Sequence, residues 1–322
     1  MSAAFVSEEA TGEGVTALLG VVPPSAYFSP GYAAAQRALG SRVLLLVDRS
    51  GPRPVAALGS LQIGRLTRSL RIEAGPSDPN HPFWQGVWDL CRTEGIRRLT
   101  VGTYSSGGAL PQWPGELFRT RSDEFVIDLS ETRAIRYSDS HRRRVRASSR
   151  AGLILRRPVP ADCLGAYSEL IEASKRRREA RGERVGVSLL MEEVRALLRA
   201  NAGEAWFVEK AGEPVACVLF MVSEGAAYYY AAGACDAGLE LGAPYFLVDS
   251  AIQHFRSTGR RMLNLGGVPP NAGGLRQFKA GFGSSSISCE YAQFIVGGPM
   301  SRVLLHAVDW AAGQAHRWSD AS

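Results

Sequence analysis

A chain of 322 residues, with 45% hydrophobic and 21% charged residues, has the composition of a globular protein with room for two domains. Its net charge of +6 is mild for this length, so it permits a polyanionic partner without requiring one. The longest strongly apolar run, Val43–Val47, is too short to cross a bilayer, and no secretory signal is visible near Glu8 and Glu9. The five cysteines are scattered without a C-x-x-C pair, which excludes a disulfide framework and indicates a cytoplasmic protein.

The first half of the chain alternates short strands and helices after residues 1–40, which are expected to be irregular with short helices that Pro23, Pro24 and Pro30 break. Apolar periodicity predicts a helix over 32–39, strands over 42–48, 55–63 and 70–73, a helix over 83–93, and strands over 98–103 and 125–129. Gly95 follows the longer helix at the position where a C-terminal glycine is favoured.

The second half of the chain repeats this order of elements. The pattern predicts a strand over 153–157, helices over 161–181 and 189–200, strands over 205–209, 215–223 and 226–232, a helix over 244–257, strands over 261–265 and 288–296, and a terminal helix over 301–318. Each half is therefore expected to form a hairpin, a third strand, a helix and a crossover strand. This predicts an α/β (α+β) fold with a mixed sheet, built twice.

One stretch, from Arg261 to Gly283, combines a short apolar strand, two glycines at its end, a loop and the sequence R-Q-F-K-A-G-F-G. Phe278 and Phe282 lie four residues apart, on one face of a helical turn, with Lys279 between them. Lysine is rare here, occurring only at 175, 210 and 279. Lys279 is either a solvated surface lysine or a compact cation held where negative charge develops.

A second feature is an arginine-rich stretch, in which seven arginines and no acid lie between residues 142 and 157. Arg142, Arg146 and Arg150 have the spacing of one helical face, and Arg143 lies beside them. Such a stripe suits a phosphate backbone, although a solvated helix is the plain alternative. A smaller cluster, 176–178, is tempered by neighbouring acids.

Five motifs appear in order in the second half: H-R-R-R-V-R-A-S-S-R-A-G-L (141–153), Y-Y-Y-A-A-G (228–233), L-G-A-P-Y-F-L-V-D-S-A-I (241–252), L-N-L-G-G-V (263–268) and G-L-R-Q-F-K-A-G-F-G (274–283). This ordered set resembles the Fem-type aminoacyltransferases. The resemblance implies two tandem GNAT-like (acetyltransferase-fold) domains, an acceptor-side domain over 1–135 and a motif-bearing domain over 136–322. The first half adds a G-P-S-D loop at 75–78 that is similar to a family loop.

The resemblance also implies an activity, the transfer of an amino acid from aminoacyl-tRNA to an amine of a peptidoglycan precursor or a natural-product peptide. Lys279 would stabilise the charge that builds on the ester carbonyl, and Tyr230 would be a second polar group in the centre. Phe278 would pack near the adenosine end of the tRNA. Asp78 and Tyr104 would orient the acceptor. Aminoacyl-tRNA would be a co-substrate, no further cofactor is expected, and a monomer is favoured.

Two other functions remain open at this point. An acyl-CoA-dependent N-acyltransferase would share the fold, but residues 237–244 lack the glycine-rich loop that cradles the CoA pyrophosphate, and Glu240 carries the wrong charge there. The third hypothesis is a non-catalytic tRNA- or peptide-binding protein, and the presence of Lys279 disfavours it. The histidines are isolated and without a metal-ligand spacing, so no metal site is expected.

Overall fold

The computed structural model describes residues 4–65, 67–130, 134–157, 164–182, 191–269 and 272–297. Their helices and strands, in chain order, are β1 (Phe5–Glu9), α1 (Gly12–Thr16), α2 (Pro30–Ala38), β2 (Arg42–Asp48), β3 (Val55–Ile63), β4 (Arg68–Ile72), α3 (Pro82–Thr93), β5 (Arg98–Gly102), β6 (Glu116–Asp128), α4 (Asp139–Arg150), β7 (Leu153–Arg156), α5 (Leu164–Ala180), α6 (Met191–Arg199), β8 (Gly203–Lys210), β9 (Glu213–Val222), β10 (Ala226–Ala234), α7 (Asp236–Glu240), α8 (Ala243–Ser257), β11 (Met262–Val268), α9 (Gly273–Ala280) and β12 (Ser285–Ile295). The helix expected over 301–318 lies outside the described residues. Across those residues, each helix is too short or too polar to serve as a membrane-spanning segment.

The predicted strands and helices within these ranges are confirmed, most with ends that differ by up to three residues; α7 and α9 were not predicted as helices, and two strands differ more. Strand β1 lies in the region expected to be irregular, where only Phe5 is buried and the apolar signal is therefore weak. Strand β6 begins at Glu116, nine residues before the predicted start at Phe125, because its first part is mostly exposed and polar. Strands with one solvated face lack the continuous apolar run that marks a buried strand.

The first compact unit contains the described residues 4–22, 40–65, 67–121 and 288–297. Its strands follow the order β1-β2-β3-β4-β5-β12, with β4 and β5 parallel and the other pairs antiparallel. Helix α3 buries Phe83, Trp84 and Val87 in the core of this unit. The ring of Phe5 lies so close to Gly86 that a Cβ there would come within 2.3 Å of it, and a glycine is therefore required in this helix.

Glu290 on β12 is a buried carboxylate that the ion pairs of this unit satisfy. It accepts a hydrogen bond from the backbone N–H of Leu110 at 2.9 Å and from Nε of Arg121 at 2.7 Å, and it pairs with Arg119. Burial raises the pKa of Glu290, but the Leu110 amide and the two guanidinium groups outweigh burial, so its pKa lies below the ordinary value. Charged Glu290 therefore stabilises the first unit.

We expect Glu290→Gln to lower the free energy of unfolding at pH 7 by about 3 kcal/mol, because it leaves two arginines without their buried partner. Since the pKa of Glu290 is lowered on folding, its contribution is present above its ordinary pKa and is lost as the pH falls through the lowered value. Urea unfolding at pH 7 and in acid tests this. Glu116→Gln is the control, because Glu116 also pairs with Arg119 but is 34% exposed; an equal loss in both variants would contradict the prediction.

The second compact unit contains the described residues 23–39, 122–130, 134–157, 164–182, 191–269 and 272–287. Its strands follow the order β6-β11-β10-β9-β8-β7, with β10 and β11 parallel and the other neighbouring pairs antiparallel. Helix α8 packs Leu247, Ala251 and Phe255 into its core beside Trp206 and Phe220. The helix is followed by Gly259, which has the positive φ of +80° that a C-terminal glycine adopts.

Helix α2 belongs to the second unit although it lies near the start of the chain. A Cβ on Gly31 would meet the carbonyl oxygen of Ala200 at 2.8 Å, and the ring of Tyr27 packs edge-on against Tyr228 at 5.3 Å. The segment 23–39, which contains α2, is thus assigned to the second unit, and the remaining boundaries between the units fall within β6 and within β12. The expected limits 1–135 and 136–322 stay a prediction of where the two GNAT-like domains begin and end.

Candidate active site

The candidate site is built around the end of strand β11. Gly266 has a φ of +79°, and a Cβ there would come within 3.0 Å of the carbonyl oxygen of Tyr229, so this position requires glycine. The register between β11 and β6 shifts between Asn264 and Gly267. A bulge of this kind bends the strand and redirects its groups, as is frequent beside active sites.

Lys279 lies in the last turn of α9 and is buried, with only 6% of its surface exposed. Its Nζ donates a hydrogen bond to the carbonyl oxygen of Gly267 at 2.9 Å. Burial lowers the pKa of Lys279 to about 8, against the opposing effect of the Glu124 carboxylate. The alternative that Lys279 is a solvated surface residue is therefore wrong. Burying an ammonium costs free energy. A lysine with a lowered pKa beside a bulged strand end is typical of a functional group.

Glu124 on β6 is fully buried and organises the polar groups around this strand end. It accepts hydrogen bonds from Oη of Tyr228 at 2.7 Å and from Nδ2 of Asn264 at 2.8 Å. Asn264 in turn accepts a hydrogen bond from the backbone N–H of Gly266 at 2.7 Å through its Oδ1. We name Glu124, Tyr228, Asn264 and Lys279 the central polar cluster. It connects three strands and α9 through groups that are all buried.

His141 anchors α9 from the side of α4. Its Nε2 donates to the carbonyl oxygen of Phe278 at 2.8 Å, and its Nδ1 accepts from the hydroxyl of Ser138, the N-cap of α4, at 2.9 Å. A carbonyl only accepts, so the Nε2–H tautomer follows from this arrangement. A Cβ on Gly281 would come within 2.0 Å of the imidazole ring, which shows how closely His141 approaches the end of α9.

The aromatic residues predicted to share a face do so. The rings of Phe278 and Phe282 lie 5.3 Å apart in an edge-to-face arrangement, and the ring of Tyr245 lies 5.1 Å from that of Phe278. Phe282 is fully buried, whereas Phe278 is half-buried. The role of Phe278 toward tRNA stays a prediction.

The structure brings a different tyrosine into the central polar cluster from the one that the sequence singled out. Tyr230 donates its hydroxyl to Oε1 of Glu193 on α6 at 2.8 Å. A register shift between Tyr229 and Ala231 interrupts the alternation of side chains along β10 at this point. Tyr228 is the tyrosine that hydrogen-bonds Glu124, and the catalytic role expected of Tyr230 stays a prediction.

The first five arginines of the arginine-rich stretch lie on helix α4, as their spacing predicted, and Arg156 and Arg157 lie at the end of β7. Its four singled-out side chains are all exposed; they are Arg142, Arg143, Arg146 and Arg150. Arg142 forms an ion pair with Asp139 in the first turn. In the smaller cluster, Arg177 donates to the carbonyl oxygen of Ala234 at 3.1 Å. Helix α4 therefore presents charge to solvent, while part of the smaller cluster supports the fold.

Asp78 and Tyr104 lie in neighbouring loops of the first unit. The exposed Asp78 accepts a hydrogen bond from the N–H of Asn80 at 2.9 Å. The ring of Tyr104 stacks on Tyr291 at 5.8 Å. The two loops touch, since a Cβ on Gly108 would come within 2.2 Å of the carbonyl oxygen of Ser77. Their predicted role toward the acceptor stays a prediction.

Residues 236–242, where an acyl-CoA enzyme would bind pyrophosphate, form helix α7 and its end. The amides of Leu239, Leu241 and Gly242 donate to the carbonyl oxygens of Cys235, Ala237 and Leu239. A Cβ on Gly238 would come within 2.1 Å of the carbonyl oxygen of Val215, so α7 lies directly against β9. Three amides of this segment are therefore used within the chain and are not free to bind a pyrophosphate.

Three members of the central polar cluster and His141 were missed by the sequence analysis. Asn264 carried a signal, because it is a single polar residue within the otherwise apolar strand M-L-N-L. Glu124 carried none, since it precedes the apolar run that begins at Phe125 and resembles a strand-end acid. In the described part of the chain, no three His, Cys, Asp or Glu side chains are arranged to hold a metal ion.

Comparison with known proteins agrees with this architecture. Residues 136–280 match the family model of the acetyltransferase (GNAT) domain. A crystal structure of FemX is similar at 11% identity with a TM-score of 0.67, covering 92% of this chain and 99% of that chain. Two GNAT-like domains in tandem make up the fold. This GNAT fold supports an acyltransferase activity.

Two further structures of similar fold have a higher sequence identity to this chain than FemX has, but a lower TM-score. The C-terminal domain of a putative lysylphosphatidylglycerol synthetase from Agrobacterium fabrum is 18% identical, covers 88% of this chain and 91% of that chain, and has a TM-score of 0.53. L-PGS from Bacillus licheniformis is 16% identical, covers 92% of this chain and 96% of that chain, and also has a TM-score of 0.53. Among curated proteins, no match to this sequence is found.

Proposed function

We propose that this protein is a Fem-type aminoacyltransferase that moves an amino acid from aminoacyl-tRNA to an amine of a peptide-like acceptor, either a peptidoglycan precursor or a natural-product peptide. The observation that carries the proposal is Lys279, a buried ammonium at the bulged end of β11. It lies within the F-K-A-G-F-G motif on which the family resemblance depends. The likeness of fold to FemX agrees with the proposal.

The chemistry requires a cation at this place. The uncharged acceptor amine attacks the ester carbonyl of aminoacyl-tRNA, so a C–N bond forms and negative charge builds on the carbonyl oxygen. The ester C–O bond then breaks, and the proton lost by the amine ends on the released ribose hydroxyl. An ammonium held in a low-dielectric environment stabilises both oxygens as they become negative. Lys279 is the proposed source of this stabilisation, and Tyr230 the proposed second polar group.

Binding of the tRNA is proposed to involve α4 and Phe278. The four exposed arginines of α4 offer planar, permanently charged groups that suit phosphate oxygens. His141 hydrogen-bonds the Phe278 carbonyl at 2.8 Å, so the basic helix and the Lys279-bearing helix are held together. This connection supports a donor whose phosphates and reactive ester are bound side by side.

The acceptor is proposed to bind through Asp78 and Tyr104. The carboxylate of Asp78 is exposed and suits an ammonium group, and Tyr104 and Tyr291 form a stacked pair of rings beside that loop. Both residues of this proposal lie in the first unit and within the range 1–135, which the resemblance assigns to the acceptor.

An acyl-CoA-dependent N-acyltransferase is the second candidate, which the match to a GNAT domain favours. The amide hydrogen bonds within α7 and the acid Glu240 disfavour a pyrophosphate there, and Pro244 lacks an amide donor near the start of α8. These features count against acyl-CoA as the donor. They are the reason for placing acyl-CoA second.

A two-donor transfer assay tests the proposal. Purified protein is incubated either with total tRNA charged with labelled amino acids or with labelled acetyl-CoA, each with a peptidoglycan-precursor peptide and with a metabolite extract. We expect label to move from tRNA and ribonuclease to abolish the transfer. Label moving from acetyl-CoA alone would establish the second candidate.

The pH dependence of transfer gives a further prediction. Because burial lowers the pKa of Lys279 to about 8, we expect the rate to fall as the pH rises through about 8, when the ammonium loses its proton. Lys279→Arg keeps its charge, so its alkaline limb should move to higher pH. Lys210→Arg, which changes a lysine on β8, is the control. An identical alkaline limb in the wild type and in Lys279→Arg would contradict the assignment.

A further inference from the structure

Glu124 has no role in the proposed function as described so far, yet it is the most buried acid of the second unit's centre, with 0% of its surface exposed. Two charged groups taken out of water cost more free energy than apolar residues of similar volume would. A buried carboxylate beside a buried ammonium therefore contributes little to the stability of the folded chain. Its presence at the bulged strand end indicates a requirement of the site.

The geometry joins this carboxylate to Lys279 in a compact arrangement. A Cβ atom added to Gly266 would lie 3.5 Å from Nζ of Lys279 and 3.7 Å from Oη of Tyr228. Both groups therefore border the same small space. Tyr228 donates to Glu124 at 2.7 Å. The carboxylate is thus one hydrogen bond away from a hydroxyl that borders the same space as the ammonium.

The same carboxylate also determines the backbone on which Lys279 depends. Glu124 orients the amide of Asn264, whose Oδ1 accepts the N–H of Gly266. The next residue, Gly267, supplies the carbonyl that accepts from Nζ of Lys279 at 2.9 Å. Glu124 therefore acts on Lys279 twice, through its charge and through the shape of the bulge.

We infer that Glu124 is a positioning residue that keeps Lys279 protonated and fixed at the end of β11, acting through Tyr228 and Asn264. The inference deepens the proposed function, on which it rests for its catalytic meaning. Glu124 is enclosed by its partners and is not expected to contact either substrate. It makes the cation available at a pH at which burial alone would begin to remove its proton.

The other charged groups near α9 have partners of their own. Arg276 on α9 pairs with Asp123 on β6 at 2.7 Å, at a half-exposed position. From α4, His141 donates to the Phe278 carbonyl and does not turn its donor toward the ammonium. From the segment before α2, Tyr27 contributes its ring edge to Tyr228. Glu124 is the acid that raises the pKa of Lys279 against burial.

The small number of lysines makes a direct test feasible. Protein labelled with ¹³C at the lysine ε-carbon gives three lysine signals, from residues 175, 210 and 279, and Lys279→Arg identifies the one from Lys279. The pH titration of that signal reports its protonation without any substrate. We expect Glu124→Gln to lower the midpoint by about one pH unit or more, as removal of a nearby opposite charge does. An unchanged midpoint would overturn the inference.

Asp123→Asn is the matched control. Asp123 adjoins Glu124 on β6 and pairs with Arg276 of α9, but its side chain is 34% exposed. We expect its Lys279 midpoint to equal that of the wild type. If Glu124→Gln does not yield folded protein, Glu124→Asp is used, because it keeps the charge but withdraws it by one methylene; a smaller downward shift is then expected, and a midpoint equal to that of the wild type would overturn the inference.

Activity separates failure of the inference from failure of the proposed function. In Glu124→Gln, we expect the alkaline limb of the transfer rate to move to lower pH by the same amount as the Lys279 midpoint, with activity partly recovered in mild acid. A shifted midpoint in a protein that transfers nothing from aminoacyl-tRNA would leave the role of Glu124 standing and refute the proposed function. Transfer from aminoacyl-tRNA together with an unshifted Lys279 midpoint would support the proposed function and refute the role of Glu124.

Discussion

Lys279→Met is expected to lower the rate of aminoacyl transfer by about 100- to 1,000-fold, the usual effect of removing one group that stabilises an oxyanion. Methionine fills a similar volume with an unbranched chain, so the buried position keeps its packing but loses its charge. The measurement is single-turnover transfer from charged tRNA at saturating acceptor. Lys175→Met is the matched control, because Lys175 lies on α5 and is 31% exposed; equal losses in the two variants would refute the role of Lys279.

The same substitution has a consequence for stability that its effect on activity does not share. The pKa of Lys279 is lowered on folding, so the unfolded chain binds more protons between about pH 8 and its ordinary pKa of 10.5. The wild type therefore gains stability as the pH rises through this window, and Lys279→Met lacks the gain. Urea unfolding of both proteins at pH 7 and pH 9.5 measures the difference. A gain of equal size in both would show that the ammonium is not buried in solution.

The second large effect is expected from the basic face of α4. Replacing its four exposed arginines, Arg142, Arg143, Arg146 and Arg150, by glutamine should weaken tRNA binding by on the order of 100-fold at low salt and reduce the salt slope of log Kd by up to about 3. Because these side chains are exposed, we expect the free energy of unfolding to change by less than about 1 kcal/mol. Titration of fluorescent tRNA at several salt concentrations gives both quantities.

A matched pair of double variants separates a specific face from general charge. Arg146→Gln with Arg150→Gln removes two charges four residues apart on α4, and Arg195→Gln with Arg199→Gln removes two exposed charges with the same spacing on α6. We expect the α4 variant to bind tRNA more weakly and with a smaller salt dependence of log Kd. The α6 variant should change neither quantity. Equal losses would mean that tRNA responds only to net charge.

Much of the architecture was predictable because it depends on patterns that extend over a few residues. The apolar run at Arg42–Asp48 is a buried strand in the sequence analysis and in the structure, with the same bounds. Arginines spaced by four on α4 lie exposed on the helix that their spacing indicated. Strand β1 was missed because its pattern is weak, and its place in the sheet depends on pairing with β2 and on Phe5 packing into the core.

The central polar cluster was not predictable in the same way. Glu124 and Asn264 are 140 residues apart in the chain, and no local pattern relates them. Tyr230 and Tyr228 are equivalent in sequence, and a register shift after Tyr229 accompanies their different partners. The assignment of α2 to the second unit likewise depends on Gly31 lying against Ala200, a contact between distant segments.

The sequence by itself therefore determined the alternation of strands and helices, the basic helix, and the strand that ends in glycines before the Lys279 segment, because each is encoded by periodicity or by the backbone freedom of glycine. Only the tertiary structure decided that Lys279 is buried, that its pKa is lowered to about 8, and that Glu124 opposes this shift. The reason is physical: the cost of a buried charge depends on which groups surround it, and folding brings those groups together from β6, β10 and β11.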